Sequence, residues 1–171
     1  MRWLLAVIAA TLFASAASAE VLGRVVAVHD GDTISVSVAE GVVRVRLHGI
    51  DAPERAQPFA NASRHSLESL VSGRDVRIVE HGHDGYGRLL GRVYAAGVDV
   101  NAEQVRLGHA WVFRRFVNEP LLLALEAEAK AAQRGLWRDP RAIPPWQWRA
   151  RRALQPTSTT PVDRERAMLA A

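Results

Sequence analysis

The chain has 171 residues, enough for one domain with a substantial core. It contains no cysteine, which excludes disulfides, thiolate catalysis and cysteine-held zinc. Its 22 basic side chains outnumber 18 acidic ones, and all but Lys130 are arginines, which suit bidentate phosphate contacts better than lysines do.

The first segment reads as a secretory signal peptide over residues 1–19. Arg2 supplies a positive start, Trp3 to Phe13 is apolar apart from Thr11, and Ala17-Ser18-Ala19 is a small-x-small cleavage site before Glu20. The apolar stretch is shorter than the about 20 residues a spanning helix needs. The expected mature protein is therefore secreted or periplasmic, with no stable membrane association after cleavage.

A domain is expected over 20–140. Val21 to Val28 is apolar and β-branched and ends at His29-Asp30-Gly31-Asp32. Thr33 to Val38 then alternates, with Ile34, Val36 and Val38 on one face. After the turn Ala39-Glu40-Gly41, Val43, Val45 and Leu47 alternate with Arg44, Arg46 and His48. If the apolar set faces the core, Arg46 points away from it. Pro58 to Leu70 reads as a helix, Arg74 to Glu80 as a fourth strand, His81 to Gly87 as a turn and Leu89 to Ala95 as a fifth strand. Asn101 to Leu107 is a short helix closed at Gly108. Asn118 is placed as the cap of a further helix with Pro120 in its first turn. That helix carries Leu122, Leu125, Ala129 and Ala132 on one face.

Beyond Asp139 the pattern fades. Pro144-Pro145 reads as a helix breaker, and residues 141–171 as a largely disordered tail containing Pro, Trp and Arg, although Trp146 and Trp148 have the chemistry to lie against the domain. Five short strands with a helix between the third and fourth have the order of an OB-fold. The expected fold is α+β, a five-stranded OB-fold barrel with about three helices, and another α+β barrel shares that periodicity.

The charged residues at strand ends carry the chemistry. Asp32, Asp51 and Glu54 are hard oxygen donors of the kind calcium favours. Taken singly, Asp30-Gly31-Asp32 is a hairpin turn and Asp51-Ala52-Pro53 a turn start. Arg46 lies on the polar face of its strand, and Arg88 leaves the Gly-rich turn Asp84-Gly85-Tyr86-Gly87-Arg88. Guanidinium groups aimed at a phosphodiester stabilise the charge that grows in its transition state. His81-Gly82-His83 lacks a third ligand for zinc, and Asn61-Ala62-Ser63 falls inside a predicted helix.

Jointly, Asp30-Gly31-Asp32-Thr33, the run Val45 to Glu54, Asp84 to Arg88, Val100-Asn101, Val105 to Gly108 and Glu126 to Trp137 resemble the staphylococcal nuclease family, in order and across Val21 to Trp137. The resemblance implies an OB-fold and calcium-dependent, sugar-nonspecific cleavage of DNA and RNA, leaving 3′-phosphates. It implies that Asp32, Asp51 and the backbone carbonyl of Ala52 bind Ca²⁺. Glu54 would position or deprotonate the attacking water, and Arg46 and Arg88 would clamp the phosphate. Tyr86 matches a tyrosine that lines the nucleotide pocket. Gly85 stands where the best-known member has lysine, and Arg114 and Phe116 where it has pocket tyrosines. Arg114 then offers phosphate contact or cation–π stacking, or belongs to a solvated face. Single-stranded substrate and a monomer are expected. The alternative functions are a non-catalytic OB-fold nucleic-acid-binding module and a surface interaction module using the tail.

Overall fold

The computed structural model describes residues 19–154. The signal-peptide reading and the final part of the tail lie outside the described residues. Among those described, no helix is long and apolar enough to cross a membrane.

Three antiparallel strands open the domain: β1 (Glu20–Val28), β2 (Thr33–Val38) and β3 (Gly41–Leu47). Two more, β5 (Asp75–His83) and β6 (Leu89–Ala95), follow the helix α1 (Ala60–Val71), and the two-residue strand β4 (Ile50–Asp51) lies between β3 and α1. The sheet runs β3-β2-β1-β5-β6, and a parallel pairing of β3 with β6, Val45 opposite Leu89, closes it into a barrel. Closure leaves neither β3 nor β6 with an open edge. The five-stranded OB-fold barrel expected from the strand order is thus present.

Strand parity follows the sequence. Ile34, Val36, Val45, Leu47, Val76 and Ile78 are buried in the barrel interior. Arg46 therefore projects outward from β3. The helices cover the barrel: α1 through Leu67 and Val71, then α2 (Val100–Arg106) through Val100 and Val105. After β7 (Val98–Asp99), which pairs with β6, the short strand β8 (Trp111–Val112) pairs with β4 and leads to α3 (Pro120–Ala131). Between α2 and β8, Gly108 has φ 74°, and a Cβ there would fall 2.3 Å from the Arg134 carbonyl oxygen. Only glycine permits both that backbone conformation and that approach.

Several boundaries differ from expectation. Helix α1 starts two residues later than Pro58, because Phe59 turns into the left-handed region at φ 69°. Strand β5 runs on through His81 to His83, with an irregular register against β6 after Glu80. Glu119, not Asn118, precedes α3, and it makes no side-chain cap bond. The buried face of α3 is Leu122, Glu126 and Ala129, so a carboxylate sits within the apolar stripe.

The largest correction is at the C-terminal end. Residues 145–154 are not disordered but form a fourth helix, α4 (Pro145–Leu154). Pro145 starts it, at a position where a missing N–H costs nothing, and the Pro144 carbonyl accepts from the amides of Gln147 and Trp148. The proline pair thus begins a helix where it was expected to break one. Trp146 stacks on Phe113, ring centroids 5.4 Å apart, and the Gln57 side-chain amide donates to the Ile143 carbonyl at 2.6 Å. These contacts set α4 beside the mouth of the barrel.

Candidate active site

The turn after β1 begins the site. Gly31 is pressed between the helices: its carbonyl accepts from the Gln104 side chain at 2.7 Å, and a Cβ on it would fall 1.8 Å from Ser63 Oγ. The next residue, Asp32, is thereby driven into the barrel mouth, where it is buried. Its Oδ2 accepts from the Ala52 amide at 2.7 Å, and its Oδ1 accepts from Thr33 Oγ1 at 2.9 Å and from Arg46 Nη1 at 2.6 Å.

Asp51 is brought to the same point by β4, which pairs Asp51 with Trp111 and Ile50 with Val112. Asp51 Oδ1 accepts from Arg46 Nη2 at 2.7 Å. One guanidinium therefore bridges two buried carboxylates, and its own side chain is only 16% exposed. Burial pushes the Asp32 carboxyl up to about 7, helped by Asp30 and Asp51 and opposed by Arg46. Burial works against the charge on Arg46, but Asp32 and Asp51 more than offset it and raise its pKa.

A second guanidinium arrives from α4. Arg149 Nη2 donates to Asp51 Oδ2 at 2.9 Å, and its Nη1 donates to Glu54 Oε1 at 2.6 Å. The hydrogen bonds to Asp51 and Glu54 outweigh burial and raise the Arg149 pKa. Glu54 itself sits in the loop after β4, where Gln57 folds back on it: the Glu54 amide donates to Gln57 Oε1 and the Gln57 amide to the Glu54 carbonyl.

The predicted residues thus divide. Asp32, Arg46, Asp51 and Ala52 form one bonded cluster, and Glu54 joins it through Arg149. Arg88 enters β6 at the strand paired with β3, but its Nε donates to Asp84 Oδ2 at 2.7 Å. Tyr86 stands 88% exposed on the same hairpin, with the Arg88 guanidinium 5.5 Å from its ring centre. Arg114 is tied by Nη2 to the buried Glu126 at 2.5 Å. The sequence reading missed Arg149, Asp84, Glu126 and Gln57. Asp84 had a local signal, since an aspartate opening a Gly-Tyr-Gly turn accepts the turn's amides, as it does from Tyr86 and Arg88.

The donors around Asp51 are all oxygens, which suits a hard cation such as calcium rather than zinc or copper. Asp32 and Asp51 are joined through Arg46, Glu54 is tied to Asp51 through Arg149, and Asp32 is held so far from water that its charge needs a positive partner. The donor chemistry therefore fits a divalent cation. Among the described residues, however, no three acidic or histidine side chains converge as a preformed cage. Arg46 and Arg149 stand between the carboxylates instead.

The sequence is similar to those of known proteins. The family model described as staphylococcal nuclease homologue matches residues 44–139. An uncharacterized endonuclease of Escherichia coli O157:H7 is 46% identical over 135 residues, covering 78% of this chain and 88% of the relative. A protein ParB of Escherichia coli is 43% identical over 155 residues, 84% of this chain and 88% of the relative. A micrococcal nuclease of Shigella flexneri is 40% identical over 142 residues, 77% of this chain and 82% of the relative. The matched span takes in Arg46, Asp51, Glu54, Arg88 and the barrel closure that positions them, and on this ground the chain belongs to the staphylococcal nuclease family.

Proposed function

We propose that the chain is an exported, calcium-dependent, sugar-nonspecific nuclease that hydrolyses DNA and RNA to 3′-phosphorylated products. The observation that carries this reading is Arg46 held between buried Asp32 and Asp51, with Glu54 reached from the same cluster. Family membership and relatives named as nucleases support the hydrolase class.

Asp32, Asp51 and the Ala52 carbonyl would hold calcium, which when bound supplies Lewis-acid polarisation of the phosphate and a template for water. Glu54 takes the proton of the attacking water as its oxygen bonds to phosphorus. The bond from phosphorus to the 5′ oxygen breaks, and that oxygen leaves with the electron pair and takes a proton from solvent. The phosphate stays on the 3′ side. Arg46 and Arg88 neutralise the charge gained by the phosphoryl oxygens. Arg88 exchanges Asp84 for phosphate to do so. Tyr86, exposed on the hairpin, offers a stacking face, and Arg114 a further cation.

Single strands are favoured, because a small barrel mouth reaches an extruded backbone more easily than a stacked duplex. The protein acts as a monomer in the periplasm or medium, without membrane attachment after leader removal. Binding weakens with salt as phosphate neutralisation releases counterions.

The test is cleavage of denatured DNA and RNA in calcium and in EGTA, alongside Glu54→Gln and Arg88→Ala. Loss of cutting in EGTA and in both variants is expected. Undiminished cutting in all three would overturn the mechanism.

A further inference from the structure

We propose that α4 is a latch on the carboxylate site: the Arg149 guanidinium and a divalent cation compete for Asp51, so cation binding releases α4 and with it frees Glu54. The inference rests on the calcium reading above and adds a regulatory role for a segment beyond the matched family span, which ends at residue 139.

Three observations carry it. The first is shared atoms. Arg149 takes Asp51 Oδ2 at 2.9 Å and Glu54 Oε1 at 2.6 Å, while Arg46 takes Asp51 Oδ1 at 2.7 Å. A cation held by Asp51 would lie beside the Arg149 guanidinium on the same carboxylate, where like charges repel strongly in a partly buried setting.

The second is the difference between the two arginines. Arg46 is part of β3, is 16% exposed and cannot leave without opening the barrel. Arg149 is 44% exposed and sits on a helix whose remaining turn, Ala150 to Leu154, faces solvent. That helix is fastened by buried Pro145, by Trp146 on Phe113, by the partly buried Trp148, whose indole nitrogen is out of solvent with no hydrogen-bond partner, and by the Gln57 bond to Ile143. Arg149 can therefore leave while the barrel stays intact.

The third is chemical. Glu54 Oε1, taken by the Arg149 guanidinium at 2.6 Å, is not open to a water molecule at that position. Glu54 serves as the proton acceptor only when Arg149 has moved. Latch release and assembly of the reactive site are then one event. If the latch is seated about nine-tenths of the time, apparent cation affinity is reduced about tenfold.

Calorimetric titration of the full chain with calcium chloride tests this, with Arg149→Ala, Trp146→Ala and Arg152→Ala. Arg152 is an exposed arginine of the same helix, so its removal reports loss of a charge alone. Arg149→Ala should bind calcium about tenfold tighter. Trp146→Ala should also tighten binding, although it removes no charge, because the helix that delivers Arg149 is loosened. Arg152→Ala should stay within about twofold, as expected of an exposed charge. Calcium should also expose the wild-type helix to trypsin after Arg149, Arg151 and Arg152, and EGTA should restore protection. Equal affinities for wild type and Arg149→Ala, a matching gain in Arg152→Ala, or no gain in Trp146→Ala overturns the latch and leaves the calcium reading standing. Absence of calcium binding in every variant overturns both.

Discussion

Arg46 donates to Asp32 at 2.6 Å across the mouth of the barrel, and this pair is the electrostatic keystone of the site. Both partners lie almost out of water, and Asp51 is bonded to the same guanidinium. Without Arg46 the Asp32 carboxyl, already raised to about 7, takes up a proton and Asp51 keeps Arg149, so the cost is that of the charge-assisted hydrogen bonds lost, about 1.5–3 kcal/mol each. Arg46→Ala is therefore expected to lose stability on that scale in urea unfolding at neutral pH. Arg46→Lys should lie between, since one ammonium cannot reach two carboxylates with a rigid fork. Unfolding midpoints within experimental error of wild type for Arg46→Ala would remove the basis of this account.

Gly31 is the position on which Asp32 depends. A methyl group there would meet Ser63 Oγ at 1.8 Å and the Ala52 Cβ at 2.8 Å. Gly31→Ala should destabilise the fold by about 1–3 kcal/mol through overpacking. It should also push Asp32 out of register with Arg46 and depress cleavage. Pairing it with Ser63→Gly relieves the nearest clash, so a double-mutant cycle should show a favourable coupling. Simple additivity of the two changes would show that Gly31 tolerates a side chain by some other movement.

How much of this was legible in the sequence varies with the range of the interaction. Strand parity was, because Val43, Val45 and Leu47 alternate with Arg44 and Arg46, and the apolar set went inward. The acid cluster was legible as a motif, since Asp32, Arg46, Asp51 and Glu54 lie close in the chain. The seating of Arg149 on Asp51 was not, because it joins residues 98 apart through a helix docked by contacts distant in sequence, among them Trp146 on Phe113 and Gln57 on Ile143. Nor was the partner of Arg114. Glu126 stands in the sequence at the start of the run Glu126 to Trp137, with nothing local to mark it as the buried carboxylate that collects three donors. Arg88 does leave the Gly-rich turn as its sequence indicates, but that Asp84, four residues before it, holds its guanidinium is set by the shape of that turn.

Glu126 gives a prediction for acid stability. Burial pushes its carboxyl up, but hydrogen bonds from Lys130, the Val112 amide and Arg114 outweigh burial and hold it below the ordinary 4.5. A carboxyl with a depressed folded-state pKa contributes stability above its unfolded value and loses it as pH falls. Wild type should therefore weaken as pH drops below about 4.5 through this group's folded pKa. Glu126→Gln should be less stable at pH 7 by about 2 kcal/mol, the scale of a charged hydrogen bond. Its stability should also vary less between pH 5 and 3. Parallel pH profiles for the two proteins would show that Glu126 does not carry the acid sensitivity.

The last prediction separates holding from acting in the β5–β6 hairpin. Asp84 accepts from the amides of Tyr86 and Arg88 at 2.9 and 3.0 Å, and from Arg88 Nε at 2.7 Å. It shapes the turn and parks the guanidinium at once. On the proposed mechanism Arg88→Ala removes a donor to the transition state, and it should lower kcat about 100- to 1,000-fold with little change in unfolding midpoint. Asp84→Asn keeps the amide acceptor but weakens the grip on Arg88. It should lower KM or leave it unchanged, because phosphate then competes with a neutral amide instead of a carboxylate. Asp84→Ala loses the turn bonds as well, so Arg88 should be misplaced and kcat should fall. A kcat in Asp84→Ala equal to that of Asp84→Asn would mean that the turn bonds do not position Arg88.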